Sequence, residues 1–366
     1  MRHRTKLLAA LISLPLAYLA LWPVPVEPLA WQAPTDLGVA GVHAPNQRLA
    51  KLQHIHLGQD GGPEHVAVGP DGWLYAAVAS GNVLRMAADG SRREVLANSG
   101  GRVLGFDFDA AGNLIAADAL RGLLSISPAG GVTVLADSFQ GEPIRFADAV
   151  VVAGDGRIFF SDASTRFAPA QWGGTFEASV LDIIEQSATG RVFEYVPGRG
   201  SLRIVAHGIS FANGLALAND GLSLLVVETG RYRVWRIDTA AQDLDVRIPS
   251  PQASVLLDNL PGFPDNLMRG LQGRLWLGFT KPRSAAVDAM APHPFLRKLT
   301  LRLPRALWPV PPAYGHVIAF TQDGRIVADL QDPAGGYPGT TAVTETPERL
   351  YIQSLQADTL GWLPNR

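Results

Sequence analysis

Past about residue 45, short apolar runs alternate with glycine turns along the whole chain. Six stretches carry the pattern: HVAVGPDGWLYAAV, GFDFDAAGNLIAADA, AVVVAGDGRIFFSDA, LALANDGLSLLVVET, NLMRGLQGRLWLGF and AVTETPERLYIQSL. Each holds two β-rich runs around Asp-Gly or its equivalent, the strongest short signal for a hairpin. The copies start about 40 to 75 residues apart, which leaves room for two more strands each, such as NVLRMAA, GLLSISP, RVFEYVP and RVWRIDT. No helix-period segment lies between successive strands, so a parallel α/β sheet is excluded. The pattern predicts an all-β chain, a six-bladed β-propeller with four strands per blade. KLQHIH, residues 51–56, is expected to pair with the last blade and close the ring.

The N-terminus follows another pattern. MRHRTK carries Arg2, Arg4 and Lys6 with no acid, and the apolar run LLAALISLPLAYLALW follows. A basic stretch before an apolar run is an export or anchor signal. Residues 1–24 are therefore expected to be a membrane anchor or signal helix, 25–48 a linker and 49–366 the propeller. The positive-inside rule keeps the N-terminus cytoplasmic and puts the propeller outside the cytoplasm, in the periplasm or beyond. Cleavage of the segment would instead release a secreted protein.

In a propeller, equivalent positions of the blades are related by rotation about one axis. Counting back seven from the residue before each turn glycine reaches Glu64, Asp148, Asn213 and Asp265. The same count reaches Leu104 in the second copy and Thr340 in the sixth. Four polar oxygen donors at one repeat position would meet at one mouth of the channel. Three carboxylates and an amide there repel one another unless a cation joins them. Oxygen-only donors select a hard cation, and Ca²⁺ tolerates irregular geometry better than Mg²⁺. The bland alternative is that these residues cap strand starts.

Composition adds limits. The chain is 47% apolar and 17% charged with a formal net charge of −2, so no nucleic-acid partner is expected. It has no cysteine, which removes disulfides and thiolate metal sites. No GxSxG, HExxH or Walker sequence is present. His65, beside Glu64, should face away from the axis. Asp118, Asp162 and Glu228 recur at the ends of second strands and read as structural bonds, with Arg121 or Arg231 as partners. Residues 284–312 interrupt the fifth copy. Phe295, Leu296, Leu299 and Trp308 are interleaved there with Arg297, Lys298, Arg302 and Arg305. That pattern suits a lid over the channel mouth, a contact with a membrane surface, or both.

GGPEHVAV, GRVLGFDFD, FADAVVVAGDGRIFFSDAS, FANGLALANDG and LPGFPDNL resemble the strictosidine-synthase-like family, in particular its adipocyte plasma-membrane-associated protein group. That family belongs to a wider calcium-dependent phosphotriesterase superfamily with the paraoxonases and gluconolactonases. The resemblance implies a six-bladed propeller with calcium ligands at Glu64, Asp148, Asn213 and Asp265. It also implies a catalytic carboxylate at Asp265 or Asp148. This chain departs from the family's Asn-Asp pair with Asp148-Ala149. The acid that strictosidine synthases use near the last blade falls on Glu345, flanked here by Thr344 and Thr346. The expected function is a Ca²⁺-dependent hydrolase of lactones or esters, with a small-molecule ester or lactone as substrate. The alternatives are a calcium-stabilised binding platform and a carbon–nitrogen condensing enzyme.

Overall fold

In the computed structural model, which describes residues 2–365, the predicted hairpins form and each extends into a blade. Blade 1 runs His65–Val68, Leu74–Ala77, Asn82–Met86 and Glu94–Asn98. Blade 2 holds Val103–Phe108, Leu114–Asp118, Gly122–Ile126 and Val132–Ala136. Blade 3 holds Ala147–Val152, Ile158–Asp162, Gly190–Val196 and Ser201–Ile209, with the short Leu244–Asp245 added in parallel. Blade 4 holds Ala212–Leu217, Ser223–Glu228, Arg233–Asp238 and Ala253–Leu257. Blade 5 holds Gly262–Arg269, Leu275–Pro282, Gly315–Phe320 and Ile326–Asp332. Blade 6 is Thr340–Glu345, Arg349–Ser354 and Thr359–Pro364, completed by Gln53–His56 from the other end of the chain. Gln53 pairs with Trp362 and His56 with Thr359. Residues from both ends of the propeller thus share one blade, and Gln53–His56 ties the ring closed as its outermost strand.

The core lies between blades. Buried Ile, Leu, Val and Phe from facing sheets pack in clusters, such as Phe159, Val192, Leu215, Leu224 and Val226 between blades 3 and 4. Near the axis the innermost strands approach so closely that side chains must be small. A Cβ on Gly214 would sit 2.5 Å from Leu267 N and 2.6 Å from Asp265 O. Gly214 therefore has to be glycine for blade 5 to lie against blade 4.

Two insertions rise above the end of the propeller where the innermost strands begin. One, between the second and third strands of blade 3, forms the helices Pro169–Trp172 and Thr175–Glu185. The other, in blade 5, forms Ala285–Met290 and Pro294–Arg302. The expected linker, residues 25–48, forms a strap whose first part, near residues 26–31, packs between them. Leu29 N donates to Glu185 O at 2.8 Å, and Trp31 N donates to Ala291 O at 3.2 Å.

Arg2–Leu21 is helical, with Pro15 inside it. No helix among the described residues is long and apolar enough to cross a membrane. The basic residues of 284–312 do not form the free cationic face expected for a lipid surface. Arg297 and Arg302 are buried and donate to backbone carbonyls, Arg297 to Ile184 and Leu29 and Arg302 to Leu19 and Trp22. Lys298 pairs with Glu27 at 2.7 Å, and Arg305 with Glu177 of the other insertion at 2.6 Å. Their charges hold the strap and the two insertions together.

Candidate functional site

A break in register places the polar ring. In five blades the innermost strand carries one more residue than its neighbour over the same span. In blade 3, Ala147 pairs with Asp162 but Val150 with Phe160. In blade 4, Ala212 pairs with Glu228 but Leu215 with Val226. In blade 5, Pro264 pairs with Phe279 but Leu267 with Leu277. Such a bulge re-aims a side chain. The residues inside these breaks include Asp148, Asn213 and Asp265. The recurring acids of the second strands fix the approach to it. Asp162 accepts from Phe146 N at 2.9 Å, and Glu228 from Ser210 N at 2.8 Å. These bonds hold the backbone just before each bulge. Their charge partners are Arg191 and Arg233, with Arg231 farther from Glu228 at 3.8 Å. Asp118 instead accepts the backbone N–H groups of Leu120 and Arg121, while the Arg121 guanidinium turns to Ser99 O.

Glu64, Asp148, Asn213 and Asp265 are all buried and all line one cavity of about 710 Å³ under the two insertions. The rest of the wall is largely apolar, including Trp31, Leu104, Phe146, Phe211, Phe263 and Trp308. Ser161 ties neighbouring blades behind the ring, accepting from Ala149 N and donating to Asn213 O, each at 2.9 Å. Thr340, the sixth-blade equivalent, turns away: its hydroxyl accepts from His316 N at 3.0 Å and has the backbone oxygens of His316 and Phe279 within donating reach.

The electrostatics are those of crowded acids. Burial pushes Asp148 well above the usual carboxylate range, and the charges of Asp265, Glu64 and Asp162 add to it. Burial and Glu64 do the same to Asp265, against hydrogen bonds from Asn213 and Asn266 N. Glu64 is also raised by burial, while Arg102 pulls it back. Arg102, two residues before the repeat position of blade 2, forms an ion pair with Glu64. The sequence reading missed it, because an arginine beside a leucine in GRVLGF carries no motif. It also missed Asn266, whose Nδ2 donates to Glu64 O at 3.2 Å.

The residues present fit a hard cation. Asn213 Oδ1 and Asn266 Oδ1 are buried without a hydrogen-bond partner. An orphaned carbonyl beside three buried carboxylates is a costly arrangement unless a positive charge meets it.

One expectation is corrected by position and one is met. Glu345 does not reach this site. It lies at the far end of its strand and accepts from Leu271 N at 3.0 Å, Trp276 Nε1 at 2.9 Å and Asn365 Nδ2 at 3.1 Å, with Arg274 at 2.7 Å. Every strand of blade 6 runs the length of the blade, so the end of Thr340–Glu345 cannot share a mouth with its beginning. His65 faces away from the ring as expected. Its ring lies 4.6 Å from that of Phe106, and burial pushes its pKa down to about 4.

Fold and site together define a six-bladed propeller with an oxygen-rich ring at one mouth. At the level of fold alone, it is similar to a gluconolactonase from Xanthomonas campestris, with a TM-score of 0.59 at 19% identity over 93% of this chain and 96% of the other. A calcium-binding protein, regucalcin, from Agrobacterium tumefaciens has a TM-score of 0.54 at 15% identity, over 85% and 93%. Residues 41–86 match the model of the strictosidine synthase-like N-terminal region, and residues 148–241 that of strictosidine synthase. An adipocyte plasma membrane-associated protein of Salmo salar is 29% identical over 81% of this chain and 74% of its own length. Strictosidine synthase-like protein 10 of Arabidopsis thaliana is 29% identical over 84% and 86%. The matching models and the Arabidopsis relative are alike strictosidine synthase-like, and that is the family this chain is similar to.

Proposed function

We propose that the protein is a calcium-dependent hydrolase of lactones or esters, with its metal held by Glu64, Asp148, Asn213 and Asp265. The observation that carries this reading is the buried acidic ring with the orphaned Asn213 carbonyl, set at the floor of a large apolar cavity. When bound, calcium would supply the positive charge that polarises an acyl oxygen and stabilises charge developing on it. The apolar wall takes the hydrocarbon part of the substrate and excludes water from it. Asp265 takes a proton from the attacking water as its oxygen bonds to the acyl carbon. The acyl C–O bond breaks, and Asp265 returns the proton to the departing alkoxide. Burial and the charge of Glu64 raise the basicity of Asp265, which suits it to the role of base. A panel of aliphatic lactones and aryl esters tests the reading. Turnover that a chelator removes and calcium restores is the expected result, and no turnover of any ester with calcium bound would refute it.

A second reading is a calcium-stabilised binding platform: the Arg102–Glu64 ion pair engages one ring acid, so the ring would serve to tie blades together and not to activate a substrate. The condensing alternative loses the acid it relied on, since Glu345 is bonded at the other end of the blade. Membrane association belongs to the same proposal. Phe295, Leu296, Leu307 and Val310 are exposed around the lid, and Leu11, Leu14 and Leu21 on the N-terminal helix. Binding of the full chain to phospholipid vesicles, lost on deleting residues 1–24, tests it.

A further inference from the structure

A second cluster of ligating side chains lies outside the cavity. His43 belongs to the turn Gly41–His43 in the N-terminal strap, His316 to the third strand of blade 5, and Asp329 to its outermost strand. His43 Nδ1 lies 2.8 Å and His316 Nε2 3.0 Å from the same oxygen, Asp329 Oδ2. Among the described residues, this is the one group of three His, Cys, Asp or Glu whose ligand atoms all lie within 4.8 Å of one another. None of the three lines the cavity. The ring acids are more widely spaced, as suits a larger ion bound by many oxygens.

We propose that His43, His316 and Asp329 form a binding site for a borderline transition-metal dication of the zinc class, which pins the N-terminal strap to blade 5. Two imidazole nitrogens and one carboxylate oxygen are the donors zinc takes, and calcium does not take imidazole. The donors are oriented from outside. Asp329 Oδ1 accepts from Gln331 Nε2 at 2.6 Å and from Asn46 Nδ2 at 3.3 Å. Tyr314 in turn donates to Gln331 Oε1 at 2.6 Å, and the His316 ring lies 4.7 Å from Phe279. Outer partners of this kind fix metal ligands in position. Arg48, the nearby cation, donates to the Asp329 backbone oxygen and leaves the carboxylate free. His43 keeps 18% of its side-chain surface exposed, so a fourth position is open to water. Zinc bonds of about 2.0–2.1 Å put tetrahedral donors about 3.3 Å apart, so the two nitrogen–oxygen separations of 2.8 and 3.0 Å need open only by about half an ångström or less to admit the ion. To ligate through these nitrogens, the neutral imidazoles carry their protons on the other ring nitrogen, Nε2 of His43 and Nδ1 of His316.

The test uses the untagged full chain, stripped with a chelator and then titrated with Co²⁺ and Zn²⁺. One equivalent of Co²⁺ is expected to give visible d–d absorption that Zn²⁺ abolishes. Zn²⁺ is expected to raise Tm by several degrees where Ca²⁺ acts through the ring instead. His43→Gln, at the exposed ligand, should fold normally and bind zinc at least tenfold more weakly. Asp265→Asn should bind zinc as wild type does, which separates this site from the ring. No cobalt absorption, zinc affinity unchanged in His43→Gln, or zinc lost in Asp265→Asn would each overturn the assignment.

Discussion

Asp265 and Glu345 are both buried carboxylates on innermost strands, in adjacent blades. Glu345 accepts three hydrogen bonds and meets an arginine. Asp265 has hydrogen bonds only from Asn213 and the Asn266 backbone, and faces other acids. The first arrangement is complete and holds blade 5 to blade 6. The second is incomplete and calls for a cation. Both acids look alike in sequence, and the difference is one of satisfied against unsatisfied charge. That difference separates a structural carboxylate from a functional one.

The largest effect should fall on Asp265. Asp265→Ala is expected to lower ester or lactone turnover by at least about 10³-fold and to weaken calcium binding, checked by initial rates and calorimetry. Glu345→Ala tests the other side of the comparison. It leaves Arg274 and Trp276 without their acceptor and should cost about 3 kcal/mol in denaturant unfolding while calcium affinity stays the same. A change in calcium affinity without loss of stability would reverse the two roles. Arg102→Gln is a smaller perturbation. Removing the positive charge from the ring should tighten calcium about tenfold. Equal or weaker binding would show that the ion pair supports the site.

The pH dependence follows from the raised acids. A group whose folded pKa is raised contributes stability that is present at low pH and lost as pH rises through its folded pKa. Asp148 and Asp265 are both raised, so in chelator the Tm of the wild type should fall as pH climbs above the ordinary carboxylate range. Calcium should remove that fall. The smallest effect is expected in the lid, where burial pushes Asp182 up to about 7. Asp182→Asn should raise Tm at pH 8 by about 2 °C relative to wild type and change little at pH 5.

Much of this was legible in the sequence. The period-2 runs and Asp-Gly turns locate the six blades, and KLQHIH is recognisable as the closing strand. The ring was legible through register, because propeller symmetry turns a shared offset into a shared position. The bulges that aim Asp148, Asn213 and Asp265 left no mark beyond a polar residue at a strand start. Glu345 was misread because a motif locates a residue along a strand without saying which end faces the cavity. Arg102, Asn266 and the His43–His316–Asp329 cluster depend on contacts between distant segments. His43 and Asp329 are 286 residues apart, and no local pattern marks them as partners. The basic residues of 284–312 looked like a membrane face because their acceptors are mostly backbone carbonyls, which a side-chain pattern does not record.

The most direct test is thermal unfolding of the full chain with calcium and with a calcium-selective chelator, for wild type and Asp265→Ala. Saturating calcium at about 100 times Kd stabilises by about 2.7 kcal/mol, a shift of several degrees for a chain of this size. The wild type should show that rise and Asp265→Ala should lose it. A wild type indifferent to calcium, or a mutant that responds equally, would contradict the metal ring.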